Sequence, residues 1–433
     1  MTSEFTKEGK EKIAVIGLGY VGLPLALLVD SKGYEVIGVD INEEKVKALN
    51  NRQLPIATEN EIVKQLKASN LKATSDYKHI RDVSIIAICV PTPVHENNMP
   101  NLEPLEKACN KLAQNLQKGQ LVILESTVNP GVSEGIVLPI LEDVSGLKGG
   151  VDFYLAHCPE RINPGDTRWT VANIPRVVGS LEETGLQKAL AFYGSIVSAE
   201  IKPMNSLKEA EAVKIVENTF RDVNIAFVNE LAMSFSHLGI DVINVIEGAA
   251  TKPFAFMPHF PGCGVGGHCI PVDPYYLIEY AKNIGFNHDF LKLARRINEE
   301  MPQFTVQLLA RALNENKMAI NGTRIAILGL SYKPEIDDCR ESPSYKIMHY
   351  LREYNADVII YDPFVPERSN VNSLEEALQN TPAAIIATAH RMFTDLTPDD
   401  FLEYGTKVIV DGRNCLPKED FIKAGIIYKG IGR

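Results

Sequence analysis

Residues 12–22 read KIAVIGLGYVG, a short aliphatic run that breaks into a glycine-rich turn and passes into a helical pattern. Ile13-Ala14-Val15-Ile16 is continuously apolar, as a strand buried on both faces must be. In Gly17-Leu18-Gly19-Tyr20-Val21-Gly22 each glycine has its own task. Gly17 permits the tight turn, Gly19 lets the backbone approach a pyrophosphate, and Gly22 lets helix and strand pack closely. The pyrophosphate then rests on the amides of the helix N-terminus. Asp40 closes the next run, Val36-Ile37-Gly38-Val39. A carboxylate there accepts hydrogen bonds from both ribose hydroxyls and repels a 2′-phosphate, which predicts NAD rather than NADP. An ordinary strand-to-helix turn also needs glycine, but not an acid in this register.

The strand-and-helix alternation continues through Ile85–Ile88 and Leu121–Leu124, which predicts a doubly wound parallel sheet. It returns at 325–328, 358–360, 384–387 and 408–410. KIAVIGLGY at 12–20 is echoed by RIAILGLSY at 324–332, and each copy leads to a second strand ending in aspartate, Asp40 and Asp362. In the second copy Ser331 stands in the place of Gly19 and Pro334 in that of Gly22. That turn cannot close around a pyrophosphate in the same way, so a different nucleotide-bearing ligand is expected. Lys333 and Arg340 are available for its phosphates, as point charge and fork; taken alone they read as solvated surface cations.

From about 205 to 316 the strand signal gives way to helical periodicity. Ser206 with Glu209 is a capping-box start. The helix it opens runs through Ala210, Val213 and Val216 toward Leu238, with Gly239 as the stop. The expected architecture is α/β: two Rossmann-like doubly wound domains, 1–204 and 317–433, joined by a central helical domain, 205–316, with a long connector helix. Clefts beside such a connector are usual ligand sites.

A chain of 433 residues is too long for one compact domain. Its net charge of -11, without a lysine- or arginine-rich block, argues against nucleic acid and anionic membranes as general partners. The polar stretch Met1–Glu11 lacks the apolar core of a signal peptide, and Leu23–Val29, interrupted by Pro24, is too short to span a bilayer. Seven cysteines, an odd number without paired spacing, fit reduced thiols better than a disulfide framework. A cytoplasmic location is expected.

Residues 261–274 read PGCGVGGHCIPVDP. Such glycine density implies backbone wrapped closely around something, and Cys269 with Asp273 forms a candidate thiol and acid or base. The alternatives are a buried structural cysteine, or zinc on Cys263, His268 and Cys269. Zinc lacks paired spacing and an evident fourth ligand, and no metal is expected. Lys214 and Asn218 share a face of the connector helix and can hold an oxyanion. Glu211 lies on that face too, so a plain surface Glu–Lys pair explains the spacing equally well.

GLGYVGLPLA (17–26), ICVPTP (88–93), ESTVNPG (125–131), CPERINPGD (158–166), EAEAVKIVEN (209–218), GVGGHCIPVDP (264–274) and GLSYKPEIDDCRESP (329–343) follow one another in this order. Together they resemble the UDP-glucose/UDP-N-acetylhexosamine 6-dehydrogenase family over essentially the whole chain. The resemblance implies a UDP-sugar substrate and oxidation of its C6 hydroxyl to a carboxylate by two molecules of NAD. The Cys269 thiolate adds to the intermediate aldehyde, and the thioester formed by the second oxidation is hydrolysed. Lys214 and Asn218 would steady the oxyanions. Asp273 and Thr127 would orient water, with Glu160 as proton acceptor or water ligand.

The same resemblance assigns Gly17, Gly19, Tyr20, Val21, Gly22, Asp40, Pro91, Thr92 and Thr127 to the cofactor. It assigns Glu160, Arg161, Asn163, Lys214, Asn218, Gly266, Lys333 and Arg340 to the substrate. Arg161-Ile162-Asn163-Pro164, Gly266-Gly267-His268-Cys269 and Pro271-Val272-Asp273 are similar to the N-acetylhexosamine branch, with UDP-N-acetylglucosamine ahead of the manno and galacto epimers and UDP-glucose. The glucose branch has a further glutamate in the 160s loop, which is absent here and puts a second catalytic acid there in doubt. Asn101 and Val132 replace a more usual aspartate and threonine. The family also implies homodimers or larger assemblies and a place in surface-polysaccharide precursor synthesis. Two rivals compete: a two-electron hydroxyacid-type dehydrogenase with a structural Cys269, and a non-catalytic NAD-binding protein.

Overall fold

The computed structural model describes residues 11–54, 60–93, 100–162, 168–267 and 269–433. Asn163, Pro164 and His268, and nearly all of the Met1–Glu11 stretch, lie outside the described residues. The chain divides into two compact units, Met1–Glu217 and Asn218–Arg433.

The first unit carries an eight-stranded sheet of β1 (Lys12–Ile16), β2 (Glu35–Val39), β3 (Lys72–Thr74), β4 (Ile85–Ile88), β5 (Leu121–Leu124), β6 (Tyr154–His157), β7 (Arg176–Ser180) and β8 (Ile201–Pro203). Its order is β3-β2-β1-β4-β5-β6-β7-β8. All neighbours are parallel except β6 and β7. The chain reverses direction across the sheet between β1 and β4, the switch point at which such sheets bind ligands. Successive residues of β1 enter opposite cores, Ile13 and Val15 one, Ala14 and Ile16 the other. Covering on both faces is why these strands read as unbroken apolar runs. The strands that composition did not reveal, among them KAT of β3 and IKP of β8, are short and partly polar.

Helix α1 (Gly22–Ser31) follows the glycine turn directly. Helix α2 (Leu207–Leu238) is the expected connector. At its start the Glu209 amide donates to Ser206 Oγ at 3.2 Å, while the Glu209 carboxylate accepts the Asn205 amide at 3.0 Å, one residue earlier than in a capping box. At its end Gly239 is left-handed (φ +70°) and the Ile240 amide donates to the Phe235 carbonyl at 3.1 Å. Leu207 packs into a core of the first unit, Val228 and Ala232 into one of the second.

The second unit has an all-parallel sheet of β9 (Arg324–Leu328), β10 (Asp357–Tyr361), β11 (Ala383–Ile386), β12 (Val408–Asp411) and β13 (Ile427–Gly430), in the order β10-β9-β11-β12-β13. Helices α3 (Asp273–Asn283), α4 (Asp289–Glu315) and α5 (Pro343–Glu353) belong to it. Met301, Phe304, Leu308 and Leu309 of α4 share one core with Ile325, Ile327, Ile385 and Val410 of the sheet. The helical stretch and the C-terminal sheet thus fold on common apolar ground. Among the described residues no helix is long and apolar enough to cross a membrane.

The internal repeat is reproduced bond for bond. The Gly17 amide donates to the Val39 carbonyl at 2.7 Å and that of Gly329 to Tyr361 at 2.9 Å. The Leu18 amide donates to Asp40 at 3.0 Å and the Leu330 amide to Asp362 at 2.6 Å. Beyond this the copies part. Ser331 gives both its amide (2.8 Å) and its hydroxyl (3.0 Å) to Asp362, and fully buried His390 adds Nε2 at 3.2 Å. The next helix, α5, opens only at Pro343, whereas α1 follows the first turn directly.

Burial pushes the Asp362 carboxyl up, but His390, Ser331 and Leu330 more than reverse this and hold it well below the ordinary value of 3.8. A depressed folded-state value means stability that is complete above the unfolded value and is lost as pH falls below it through the folded one. Asp362→Asn is expected to cost ~2 kcal/mol at neutral pH. The gap between variant and parent should narrow below pH 3.8, as measured by urea unfolding at several pH values.

Candidate active site

The residues assigned to the cofactor gather at the carboxyl ends of β1, β2, β4 and β5. Gly17 has φ +91°, and a Cβ there would lie 2.7 Å from the Cys89 carbonyl oxygen. A Cβ on Gly22 would fall 1.9 Å from the Gly17 oxygen, so strand, turn and helix are in contact as the glycine spacing requires. A Cβ on Gly19 would meet nothing within 4 Å. Internal packing does not demand glycine at 19, which fits a place kept for close approach by a ligand. The first turn of α1 has neither an acidic residue nor a side-chain cap, leaving its positive end for an anion. These features fit a dinucleotide.

Asp40 is buried and accepts the Leu18 and Asn42 amides, and Lys45 Nζ at 2.8 Å. Lys45 escaped the sequence reading, although its position in the turn after the acid was a usable signal. Tyr20 is exposed on the turn and Val21 is the N-cap residue of α1. Past Pro91, the Thr92 hydroxyl donates to the Thr127 carbonyl at 2.6 Å, and Ser126 Oγ to the Val90 carbonyl at 2.7 Å. Two hydroxyl bridges therefore tie the β4 and β5 loops together and hold Thr127 against Thr92.

Glu211 overturns the surface-pair explanation of the connector face: Glu211 and Lys214 are both buried. The Glu211 carboxylate accepts the Gly131 amide and, at 2.8 Å, the Ser133 amide. It anchors α2 to the loop that follows Thr127. Burial pushes its carboxyl up, with those amides pulling the other way. Glu160, in the loop after β6, accepts the Ile162 amide. Burial pushes it up too, against the Lys214 ammonium, which is the leading charge opposing the shift. Burial and the lysine charge thus act on this carboxyl in opposite directions, with burial the larger. Arg161 is held by Glu217 on α2 and by the Pro175 carbonyl at 2.8 Å, so its fork is already engaged with the protein.

In the second unit Asn218, one turn beyond Lys214 on α2, donates Nδ2 to Asp273 at 2.5 Å. Asp273 is buried and opens α3. Its own amide donates to the Cys269 carbonyl at 2.7 Å, and that of Val272 to the same oxygen at 3.0 Å. Cys269, half-buried, therefore shares one tight turn with an acid whose carboxylate is oriented by the connector amide. Cys263 is fully buried, its sulfur 3.5 Å from the Ala387 carbonyl.

The glycine-rich run wraps around Tyr332 and Pro343. A Cβ on Gly266 would lie 2.7 Å from Tyr332 Cβ, and one on Gly267 (φ +91°) 2.8 Å from its ring. The Gly267 amide donates to the Arg340 carbonyl at 3.0 Å. The cysteine loop is thus seated on the degenerate second turn, a contact between distant motifs that no local pattern announces. On that turn the Arg340 fork grips Asp338 through both carboxylate oxygens, with Nη2 at 2.6 Å, and Lys333 is half-buried. Asp338 is an acid that a phosphate would have to replace.

Family models match in three consecutive stretches: the UDP-glucose/GDP-mannose dehydrogenase family NAD binding domain at 11–197, its central domain at 208–300 and its UDP binding domain at 326–418. The chain is 40% identical over 427 residues to a UDP-N-acetyl-D-mannosamine dehydrogenase of Pyrococcus horikoshii, covering 98% of this chain and 99% of that one. It is 37% identical over 400 residues to a UDP-N-acetyl-D-glucosamine 6-dehydrogenase of Pseudomonas aeruginosa, covering 91% and 94%. Among solved structures, a UDP-D-ManNAc dehydrogenase from Pyrococcus horikoshii superposes with a TM-score of 0.90 at 39% identity, covering 98% of this chain and 99% of that one. An NDP-N-acetyl-D-galactosaminuronic acid dehydrogenase from Methanosarcina mazei gives 0.86 at 33%, covering 98% and 95%. With a glycine turn open to a dinucleotide at one end and these likenesses along its whole length, the chain belongs to the UDP-glucose/GDP-mannose dehydrogenase family and is an NAD-dependent oxidoreductase of nucleotide sugars.

Proposed function

We propose that this protein oxidises the C6 hydroxyl of a UDP-N-acetylhexosamine to the carboxylate, a four-electron reaction with Cys269 as covalent nucleophile. The observation that carries the reading is the turn joining Cys269 to buried Asp273, whose carboxylate is held by Asn218. NAD, when bound, takes one hydride in each of the two oxidations. The Cys269 thiolate adds to the C6 aldehyde, forming a C–S bond and an alkoxide that the Lys214 ammonium neutralises and the Asn218 amide steadies by hydrogen bonding. Oxidation of that adduct leaves a thioester. Asp273, with Thr127, aligns the water that adds to it, and the thiolate departs. Glu160 accepts a proton. In sum, the alcohol and one water become a carboxylate, two hydrides and three protons. Arg161, Asn163 and Gly266 hold the sugar, and Lys333 and Arg340 the diphosphate.

UDP-N-acetylglucosamine is our first choice of substrate, followed by UDP-N-acetylmannosamine, the galacto epimer and UDP-glucose. The relatives named for glucosamine and mannosamine support the N-acetylhexosamine class without separating these two epimers. The test is to supply each sugar with NAD and count NADH per sugar consumed. Two per sugar supports the covalent scheme and the fastest sugar names the substrate; one per sugar hands the reaction to a simple alcohol dehydrogenase with a structural Cys269.

We further propose that 1–204 serves NAD, 205–316 catalysis and self-association, and 317–433 the UDP end. The protein acts in the cytoplasm on precursors of a surface polysaccharide, as a homodimer or larger assembly. Exposed Phe220 and Phe227 of α2 and Phe254, Met257 and Phe260 nearby in sequence support the last point. The Phe220 ring lies 6.0 Å from that of His259, so the helix face and this segment form one apolar patch. Light scattering is expected to give at least twice the chain mass, and Phe220→Asp to lower it.

A further inference from the structure

In the second unit a chain of buried and part-buried hydrogen bonds joins groups that the reaction scheme leaves unused. Asp222, one turn past Asn218 on α2, accepts Arg295 Nη1 of α4 at 2.6 Å and Asn298 Nδ2 at 2.8 Å. Asn298 Oδ1 accepts Asn229 Nδ2 at 2.8 Å, and Asn229 Oδ1 accepts the Gly262 amide at 3.0 Å. In the other direction Arg295 Nη2 reaches Glu299 Oε1 at 3.3 Å, and the Tyr275 hydroxyl donates to the same oxygen at 3.0 Å. The guanidinium also lies 5.9 Å from the centre of the Tyr275 ring. Asp222, Asn229, Arg295 and Asn298 are all buried.

Gly262 and Tyr275 bracket Cys269. The Tyr275 end of the segment that carries the thiol is therefore fastened through Glu299 and the Arg295 guanidinium to Asp222, in the helical turn next to Asn218, while the Gly262 end is held by Asn229, farther along α2. A buried ion pair is a poor source of stability, because desolvation offsets the Coulomb attraction and apolar side chains of the same volume serve as well or better. Its geometric effect is another matter. Two directed N–H groups on a rigid fork fix direction as well as distance, which an ammonium or an apolar contact does not.

Resting on the reading that Cys269, Asn218 and Asp273 meet the sugar, we propose that Arg295 is a positioning residue that sets the Cys269 segment in register with α2 through Asp222 and Glu299. It touches neither substrate nor cofactor in this assignment.

The test compares the wild type with Asp222→Leu/Arg295→Met, which removes both charges together, and with Arg295→Lys, which keeps a charge and loses the fork. Four readouts are needed: kcat with the preferred UDP-N-acetyl sugar, NAD affinity, the thermal midpoint, and the rate of Cys269 alkylation by iodoacetamide across neutral and mildly alkaline pH. The expected result for the double variant is an unchanged thermal midpoint and NAD affinity. Its kcat should be about 100-fold lower, the scale of a small misplacement of reacting groups, with a displaced alkylation profile. Wild-type kcat and alkylation in either variant would overturn the proposal, as would equal losses of NAD affinity and kcat. If the double variant does not fold, Arg295→Lys decides alone, with a reduced kcat at unchanged NAD affinity as the expected result. The NADH count of the wild type is read separately, so one NADH per sugar would sink the covalent scheme whatever Arg295 does.

Discussion

Cys269→Ala is expected to lower the rate of carboxylate formation by about 10⁴-fold or more, the scale seen when a covalent nucleophile is removed. NAD affinity should stay at the wild-type value, because none of the residues proposed to hold NAD is altered. The side chain is half-buried in a turn closed by main-chain bonds from Val272 and Asp273, so alanine keeps the backbone and removes only the sulfur. NADH production by stopped flow, with the products identified by mass spectrometry, gives the answer. An alanine variant that still yields two NADH per sugar at the parental rate would remove the thiol from the mechanism.

Lys214→Met should lower kcat by about 10²–10³-fold, the usual loss when a donor to a developing oxyanion is withdrawn. The effect has a second component. Lys214 is the leading charge holding down the Glu160 carboxyl, which burial pushes up. Without the ammonium that carboxyl moves further up, so the acidic limb of the kcat–pH profile is expected to shift toward higher pH. Methionine keeps the length and apolar contacts of the buried side chain. A kcat within threefold of the parent, or an unmoved acidic limb, would count against both roles; the threefold margin is the usual scatter of such measurements, about 0.6 kcal/mol.

How much of this was legible beforehand depended on how local each signal was. The four apolar strands of each half, the glycine turn with Asp40, and the span of α2 from Ser206 to Gly239 could all be read. Each rests on neighbours along the chain: continuous burial, φ > 0, a cap. The duplicated turn was legible for the same reason, down to the divergence at Ser331. The two short edge strands were hidden because KAT and IKP bury too little to leave a pattern. Glu211 was ambiguous, since the same Glu–Lys spacing serves a solvated face and a buried anchor. Only the Gly131 and Ser133 amides, far away in sequence, decide between them. The partners of the glycine-rich run, Tyr332 and Pro343, and the Asp222–Arg295 pair lay beyond reach for the same reason: each joins segments whose proximity is created by folding.

The duplicated turns also differ in where their charge goes. Among the described residues Asp40 has one side-chain partner, Lys45, besides main-chain amides. Asp362 is enclosed by Ser331 and a histidine stacked on Phe364, its ring centre 4.8 Å away. The first arrangement can exchange partners with a ligand; the second is closed by the protein itself.

The boundary between the two units falls inside α2, between Glu217 and Asn218, with no loop or linker at that point. Lys214 and Asn218, one helical hydrogen-bonding step apart, stand on opposite sides of it. A genetic crossover at this boundary would have to join two half-helices in phase. A slip of one residue would turn every downstream side chain of α2 by about 100°, carrying Asn218, Asp222 and Asn229 off their partners together. The two halves are therefore poor currency for domain shuffling, and lineages that exchange sugar specificity are expected to do so by substitutions around a helix passed on whole.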